Sequence, residues 1–343
     1  MWLSSRARIH NVHLYQKTVT GPRFLNFLRL LIGHYQNLLL KRRSIKARPF
    51  ALSVEPTRYC QLRCPECPTG AGILHRSGGD MPIILFSEII DETKHYIFHL
   101  NLYFQGEPLL HPEITQFVQK ASENRIYTSI STNGQNLDTA TCHELVKAGL
   151  SRIIISLDGL SQKTYETYRV NGDVEKVKNG IRELILARKN SGTRRRPIIV
   201  VQCLAFEHNR HEVPLIRKWC RKQGVDKFEL KPAQMNEFGD GSVVPDKRKT
   251  RYKKSPKTRP QLKRSARNHC WRQWSSAVIT WDGWVAPCCY DKDINYPLGN
   301  MNEEAMDKIW FGLIRKDFNH FISTNRSSIT MCRNCPEGRS RLF

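Results

Sequence analysis

The sequence predicts an α/β chain, an incomplete (β/α)6 TIM-like barrel with a small cysteine-rich C-terminal domain. Three observations predict it. Between residues 51 and 231, six short β-type runs alternate with helical patterns, the rhythm of a parallel sheet with right-handed crossovers. Six units are fewer than the eight of a closed barrel, so an open one is expected, with its chemistry at the carboxyl ends of the strands. Residues 270–343 break the rhythm and hold five of the eleven cysteines.

Strands are expected at 51–55 (ALSVE), 100–104 (LNLYF), 125–131 (RIYTSIS), 152–157 (RIIISL), 197–206 (PIIVVQCLAF) and 227–231 (KFELK). Helices are expected between them near 86–97, 112–124, 139–148, 174–190 and 211–223, the second opening with Pro112 at its first helical position. Past residue 270, two β-type runs flank Asp282-Gly283, a strong hairpin signal. The chain therefore divides into an N-terminal segment (1–50), the barrel (51–240), a linker (241–268) and the cysteine-rich domain (269–343).

Composition narrows the function. With 40% hydrophobic and 9% aromatic residues, the chain is neither disordered nor fibrous. No apolar run approaches the roughly 18 residues of a membrane span, and the first 15 residues lack the apolar block of a secretory signal. A cytoplasmic location is expected. The net charge of +24 is unevenly placed: residues 1–54 contain ten Lys or Arg and no acid, and residues 247–267 contain eleven and none. The remainder has 34 basic residues against 31 acidic ones. Basic segments raise nucleic acid first, but a nearly neutral body argues against it. Residues 247–267, with Pro256 and Pro260 and little apolar content, read as a solvated connection. In the N-terminal segment Phe24, Phe27, Leu28, Leu31, Tyr35, Leu38 and Leu39 recur at helical spacing, followed by Lys41, Arg42 and Arg43. Residues 22–43 thus read as a basic amphipathic helix that either lies on an anionic membrane surface or packs its stripe against the barrel.

Directly after the first strand, Cys60, Cys64 and Cys67 follow the spacing C-x3-C-x2-C. Three thiolates on one loop close a structural zinc site only with a fourth ligand, for which His75 is a candidate. They suit a cubane cluster that keeps one iron open. At later strand ends come Gln105-Gly106-Glu107-Pro108, Thr132-Asn133-Gly134 and Ser156-Leu157-Asp158-Gly159, with Arg169 shortly downstream.

In this order the motifs resemble the radical S-adenosylmethionine (SAM) superfamily over residues 51–231. The resemblance implies that Cys60, Cys64 and Cys67 hold a 4Fe–4S cluster whose open iron binds the methionine end of SAM. Reductive cleavage would then give a 5′-deoxyadenosyl radical that takes a hydrogen from a substrate. It implies a SAM pocket of Gly106, Glu107, Thr132, Asn133, Ser156, Asp158 and Arg169, and an electron donor such as ferredoxin or flavodoxin. Glu107 would offer charge to the SAM ammonium; Ser156 and Arg169 would hold the carboxylate and ribose; Asp158 either touches ligand or orders the loop. The family usually carries an aromatic before the third cysteine, beside the adenine. Glu66 stands there instead, which leaves that contact to Tyr59 or another group. The run NLYFQG at 101–106 looks like an engineered protease site, but it continues into a strand end and reads as native.

In the C-terminal region Cys270, Cys288 or Cys289, Cys332 and Cys335 offer four thiolates, enough for a closed zinc site or a second Fe–S cluster. A lone cysteine, then Gly283-x4-Cys288, then C-x2-C resembles the SPASM domain. That implies one auxiliary 4Fe–4S cluster on Cys270, Cys288, Cys332 and Cys335, in a shortened domain. Cys142, Cys203 and Cys220 read as small buried hydrophobes. The substrate (small molecule, lipid-linked or peptide) and the acid, base or hydrogen donor that sets the outcome have no readable motif. The rival from another class is a zinc-containing nucleic-acid-binding protein that uses the basic segments.

Overall fold

The computed structural model describes residues 2–3, 5–40, 46–192, 196–236, 238–239, 241–253, 261–263, 267–333, 335 and 337. Ten strands form one sheet: β1 (Trp2–Leu3), β2 (Ala51–Val54), β3 (His99–Leu102), β4 (Tyr127–Thr132), β5 (Arg152–Ser156), β6 (Ile198–Ala205), β7 (Lys227–Pro232), β8 (Ser276–Ile279), β9 (Trp284–Ala286) and β10 (Gly299–Asn300). Their order is β1-β7-β6-β5-β4-β3-β2-β8-β9-β10. Strands β2 to β7 run parallel, each beside its predecessor, and β2 does not pair with β7, so the barrel stays open. The six expected strands lie within two residues of those observed.

The helices before β8 are α1 (Ser5–Gln16), α2 (Gly21–Leu40), α3 (Ile83–Thr93), α4 (Ile114–Glu123), α5 (Thr139–Lys147), α6 (Gln162–Glu166), α7 (Val174–Asn190), α8 (Val213–Gln223) and α9 (Arg272–Ser275). Three more follow β10: α10 (Met306–Phe311), α11 (Leu313–Asn325) and α12 (Thr330–Arg333). Helix α4 starts two residues later than expected, and Pro112 stands outside it. Pro108–Leu110 form a 3-10 turn, and the N-cap Glu113 donates its backbone N–H to His111 Nδ1 at 3.1 Å. The His111 ring thus satisfies a donor that a helix start leaves open.

The outer face of the sheet packs on the helices through Leu52, Val54, Leu100, Leu102, Ile153 and Ile155 on the strands, with Phe86 stacked on Phe117 at 4.0 Å between α3 and α4. Cys142, Cys203 and Cys220 are buried, as expected of small hydrophobes. The expected hairpin is present: β8 and β9 are antiparallel around Gly283. Its first strand also lies parallel to β2, from Ala51↔Ser276 to Val54↔Ile279. The cysteine-rich region is therefore continuous with the barrel sheet.

Helix α1 fills the amino-terminal end of the barrel lumen. Leu14 packs with Tyr127, Ile154, Ile198 and Val200, and Tyr15 stacks on Tyr127 at 4.1 Å. Tyr15 donates its hydroxyl to His99 Nδ1 at 2.7 Å, and His99 Nε2 donates to Asn101 Oδ1 at 2.8 Å, which satisfies both nitrogens of a neutral imidazole. Burial pushes His99 down to about 4. In the unfolded chain its pKa is about 6.5, so the unfolded state binds a proton that the native state declines. Stability from this site is full above pH ~6.5 and is lost as pH falls toward 4. The urea midpoint should drop over that window by the equivalent of about 3 kcal/mol. His99→Gln should flatten most of that slope; an unchanged slope would show that other groups carry it.

Helix α2 runs across the same end of the barrel. Its inner face inserts Arg23, whose guanidinium donates to the carbonyls of Thr18, Lys94, Asn124 and Arg125 at 2.7–2.9 Å. Asn26 exchanges two hydrogen bonds with the Arg48 backbone, and Phe27 meets Phe50 and Phe98 edge-on. Of the expected stripe, Phe27 faces inward and Leu31 is half-buried, while Phe24, Leu28, Tyr35 and Leu39 are exposed. The self-packing alternative therefore fails for those four, because the polar anchors Arg23 and Asn26 claim the inner face. The Leu38 side chain and Lys41, Arg42 and Arg43 lie outside the described residues.

The basic linker is partly built into the molecule. Pro245 bridges Phe206, Tyr252 bridges Leu262, and the Tyr252 hydroxyl accepts from Met235 N at 3.1 Å. Pro256 and Pro260 lie outside the described residues.

Candidate active site

The loop leaving β2 is held at its root by Glu55, which is fully buried. Its carboxylate takes a two-pronged ion pair from Arg76 at 2.5 and 2.6 Å, with weaker contacts from the Gln105 and Trp281 N–H groups. One side chain thus ties the cysteine loop to the ends of β3 and β8. Further along, Glu107 N donates to Tyr59 O at 2.7 Å. Gly106 sits at φ +74, where a Cβ would come within 2.3 Å of Thr57 O, so no larger residue fits this crossing.

Cys60, Cys64 and Cys67 share one apolar cluster with Leu62, Tyr168 and Phe206. Burial pushes the Cys60 thiol up to about 12 and raises Cys64, with Arg169 opposing at Cys64. Thiolates in such surroundings call for a positive partner, which suits cluster iron. Two donors point at the sulfurs: Asn133 Nδ2 at 3.8 Å from Cys60 Sγ and Arg169 Nη1 at 3.8 Å from Cys64 Sγ. Among the described residues, no three His, Cys, Asp or Glu groups close around a single point. His75, the candidate fourth zinc ligand, instead pairs with Asp293 at 2.5 Å and is largely exposed.

The motifs at the strand ends converge beside this loop. Glu107 is enclosed and accepts from Thr132 Oγ1 (2.6 Å), Asn133 N (2.7 Å) and Leu109 N (3.1 Å). Burial pushes its carboxyl up, against those hydrogen bonds. Asp158 is fully buried; it accepts from Arg169 Nε at 2.6 Å and from Leu204 N at 2.6 Å. It thereby fixes the Arg169 guanidinium against the start of the loop after β5. Ser156 is buried at the end of β5. Glu66 accepts from Asn236 N at 2.7 Å, and a Cβ on Gly239 would meet it at 2.0 Å. The residue at the usual aromatic position thus fastens the cysteine loop to the segment after β7.

A cavity of about 1070 Å³ joins this loop to the C-terminal region, with Cys67 and Gly106 on one wall and Tyr290 and Lys292 on the other. Arg76 and Lys292 both lie over the Phe104 ring, 5.6 and 4.9 Å from its centre. Lys231 and Arg251 also line it. The cavity's acids serve the protein: Asp291 accepts from Asn295 N and Tyr296 N, and Asp293 from His75 N and Arg76 N. Among the described residues, Arg251 and Lys292 have no carboxylate partner. Neither Arg251 nor Phe104 announced itself in the sequence, since each sits in a stretch that reads as linker or strand.

In the C-terminal region Cys270, Cys288, Cys332 and Cys335 line one narrow cavity with Arg326. Burial raises Cys332 and pushes Cys335 up to about 12, and Arg326 pulls both the other way. Cys289 turns instead toward a separate cavity beside Ser53 and Asn101, with Arg272 Nη1 at 3.7 Å.

Family comparison agrees with this geometry. Residues 54–198 match the model of the radical SAM superfamily, and residues 270–336 match SPASM, an iron–sulfur cluster-binding domain. The chain belongs to the radical SAM superfamily. It is an enzyme that uses a 4Fe–4S cluster and SAM, and its SPASM region holds auxiliary iron–sulfur. The chain is 27% identical over 289 residues to the tungsten-containing aldehyde ferredoxin oxidoreductase cofactor-modifying protein of Pyrococcus furiosus, covering 76% of this radical SAM chain and 80% of that protein. A probable GTP 3′,8-cyclase of Methanococcus vannielii is 29% identical over 179 residues, 52% of this chain and 56% of its own length. Among solved structures, Streptococcus suis SuiB bound to S-adenosylmethionine shares the fold with a TM-score of 0.62 at 15% identity, over 84% of this chain and 72% of its own. Among the described residues, no helix is long and apolar enough to cross a membrane.

Proposed function

We propose that Cys60, Cys64 and Cys67 hold the SAM-binding cluster, and that Cys270, Cys288, Cys332 and Cys335 hold one auxiliary 4Fe–4S cluster. When bound, the reduced cluster supplies the electron that cleaves SAM to the 5′-deoxyadenosyl radical, which abstracts a substrate hydrogen. Gly106, Thr132, Asn133, Ser156 and Arg169 line the SAM site. Glu107 and Asp158 are positioning residues there: Glu107 locks the ends of β3 and β4 together, and Asp158 aims Arg169 at the cysteine loop. The domain limits follow the same reading: a barrel at 51–240, a linker at 241–268 and the cluster region at 269–343. A ferredoxin or flavodoxin serves as electron donor, in the cytoplasm, and residues 22–43 contact a membrane surface.

The cavity between the two cysteine sites carries the reading of the substrate. Among the described residues, its Asp291 and Asp293 accept from backbone donors, whereas Arg251 and Lys292 have no carboxylate partner and stand beside Phe104 and Tyr290. Such a wall suits a substrate with a carboxylate or phosphate on an apolar or aromatic body. Pyrophosphate serves as a small anionic probe. Titration calorimetry should show it binding the reconstituted, SAM-loaded protein, and Arg251→Gln with Lys292→Gln should weaken it about tenfold or more. Equal affinity in the two proteins would reject the assignment.

A further inference from the structure

We infer that the outer face of α2 docks on an anionic lipid bilayer, with the mouth of the active site turned away from the membrane. This deepens the membrane contact proposed above and rests on it. Three observations support it.

The first is an apolar stripe in the wrong place for a core. Phe24, Leu25, Leu28, Ile32, Tyr35 and Leu39 fall within about 100° of helical arc. All are exposed, Leu25 at 55%, Ile32 at 57% and Leu39 at 78%. The opposite arc is the buried one, with Arg23 at 3%, Leu30 at 0% and His34 at 3%. Ordinary surface helices bury their apolar arc and expose their polar one, so α2 is inverted and its stripe is left without a partner.

The second is charge. Residues 1–54 carry ten Lys or Arg and no acid. Arg29 is exposed on α2, and Lys17 is exposed just before it. An apolar stripe in a segment with no negative charge complements a surface that is apolar below and anionic above, which is the interface of a bilayer containing acidic lipids.

The third is direction. The inner face of α2 is bonded to Lys94, Asn124 and Arg125, and packs on Phe50 and Phe98. Phe50, Phe98, Asn124 and Arg125 stand just before β2, β3 and β4, and Lys94 caps the helix that leads into β3, so α2 covers the amino ends of the parallel strands. The cysteine loop and the 1070 Å³ cavity lie at the opposite, carboxyl ends of these strands. A chain seated on α2 therefore receives its substrate from the aqueous phase. The stripe is an anchor and not an entry route for lipid.

The test uses full-length reconstituted protein and sedimentation with vesicles of phosphatidylcholine alone or mixed with phosphatidylglycerol. Binding to the mixed vesicles is expected. It should weaken at high salt, and about tenfold in Leu25→Glu with Ile32→Glu, both on the exposed face. Dithionite-driven 5′-deoxyadenosine formation should be the same with and without vesicles and in the variant; this also confirms that the variant folds and that the enzyme assignment stands independently. Failure to bind either vesicle would remove the membrane contact itself. Equal binding to neutral vesicles would leave the contact but overturn the anionic surface. Equal binding by the variant would overturn the docking face. A dimer in solution that the variant dissociates would assign the face to a second copy and overturn the inference. Loss of SAM cleavage on vesicles would overturn the orientation.

Discussion

Replacing Cys60, Cys64 and Cys67 together by alanine should abolish 5′-deoxyadenosine formation and lower the iron of anaerobically reconstituted protein from about eight atoms to about four. The loss is complete because these thiols have no substitutes: the loop is packed among Leu62, Tyr168 and Phe206, and His75 is turned to Asp293. The remaining iron should sit on Cys270, Cys288, Cys332 and Cys335. Cys288→Ala is accordingly expected to remove the other four atoms, while Cys289→Ala keeps all eight, since Cys289 opens on a different cavity. If the loop variant lost all iron, the C-terminal assignment would be withdrawn. Zinc at both sites in place of iron would sink both assignments.

The second large effect concerns stability. Arg76→Met should destabilise the fold by about 3–5 kcal/mol in urea titration, because it leaves the fully buried Glu55 carboxylate without its cationic partner. Only two weak backbone N–H contacts would remain to it. The double variant Glu55→Leu with Arg76→Met should recover much of the loss, since an apolar pair of similar volume carries no desolvation cost. The Arg76 variant should also retain less iron. Arg76 N contacts Asp293 and Arg76 Nε donates to Lys292 O, so the residue couples the cysteine loop to the segment that follows Cys289. A loss below about 1 kcal/mol would mean that the pair is solvated.

Much of the barrel was legible because its signals are local. The runs that became β2 to β7 are apolar, β-branched and bounded by turn residues, and neighbours in sequence are neighbours in the sheet. Other elements were not legible. Residues Ser5–Gln16 show no apolar period, and α1 is held by Leu14 and Tyr15 entering a lumen that other strands create. The pairing of β8 with β2 joins residues more than 200 positions apart, and no local pattern encodes it. Arg251 read as one of eleven charges in a connector, and only the return of Tyr252 to Met235 and Leu262 places it at the cavity.

By itself the sequence determined the chemistry. Spacing along one covalent loop nominates three thiols for one cluster, and motifs at consecutive strand ends of a parallel sheet must meet at one mouth. Tertiary structure alone distinguishes groups that are equivalent along the chain. Cys288 and Cys289 are adjacent, and the cavity each faces is what favours Cys288 as the proposed ligand. The apolar stripe of α2 was visible from its period, but periodicity is blind to which arc meets the protein. Arg23 and Asn26 took the inner side by satisfying buried backbone carbonyls and N–H groups, and so left the apolar arc facing outward.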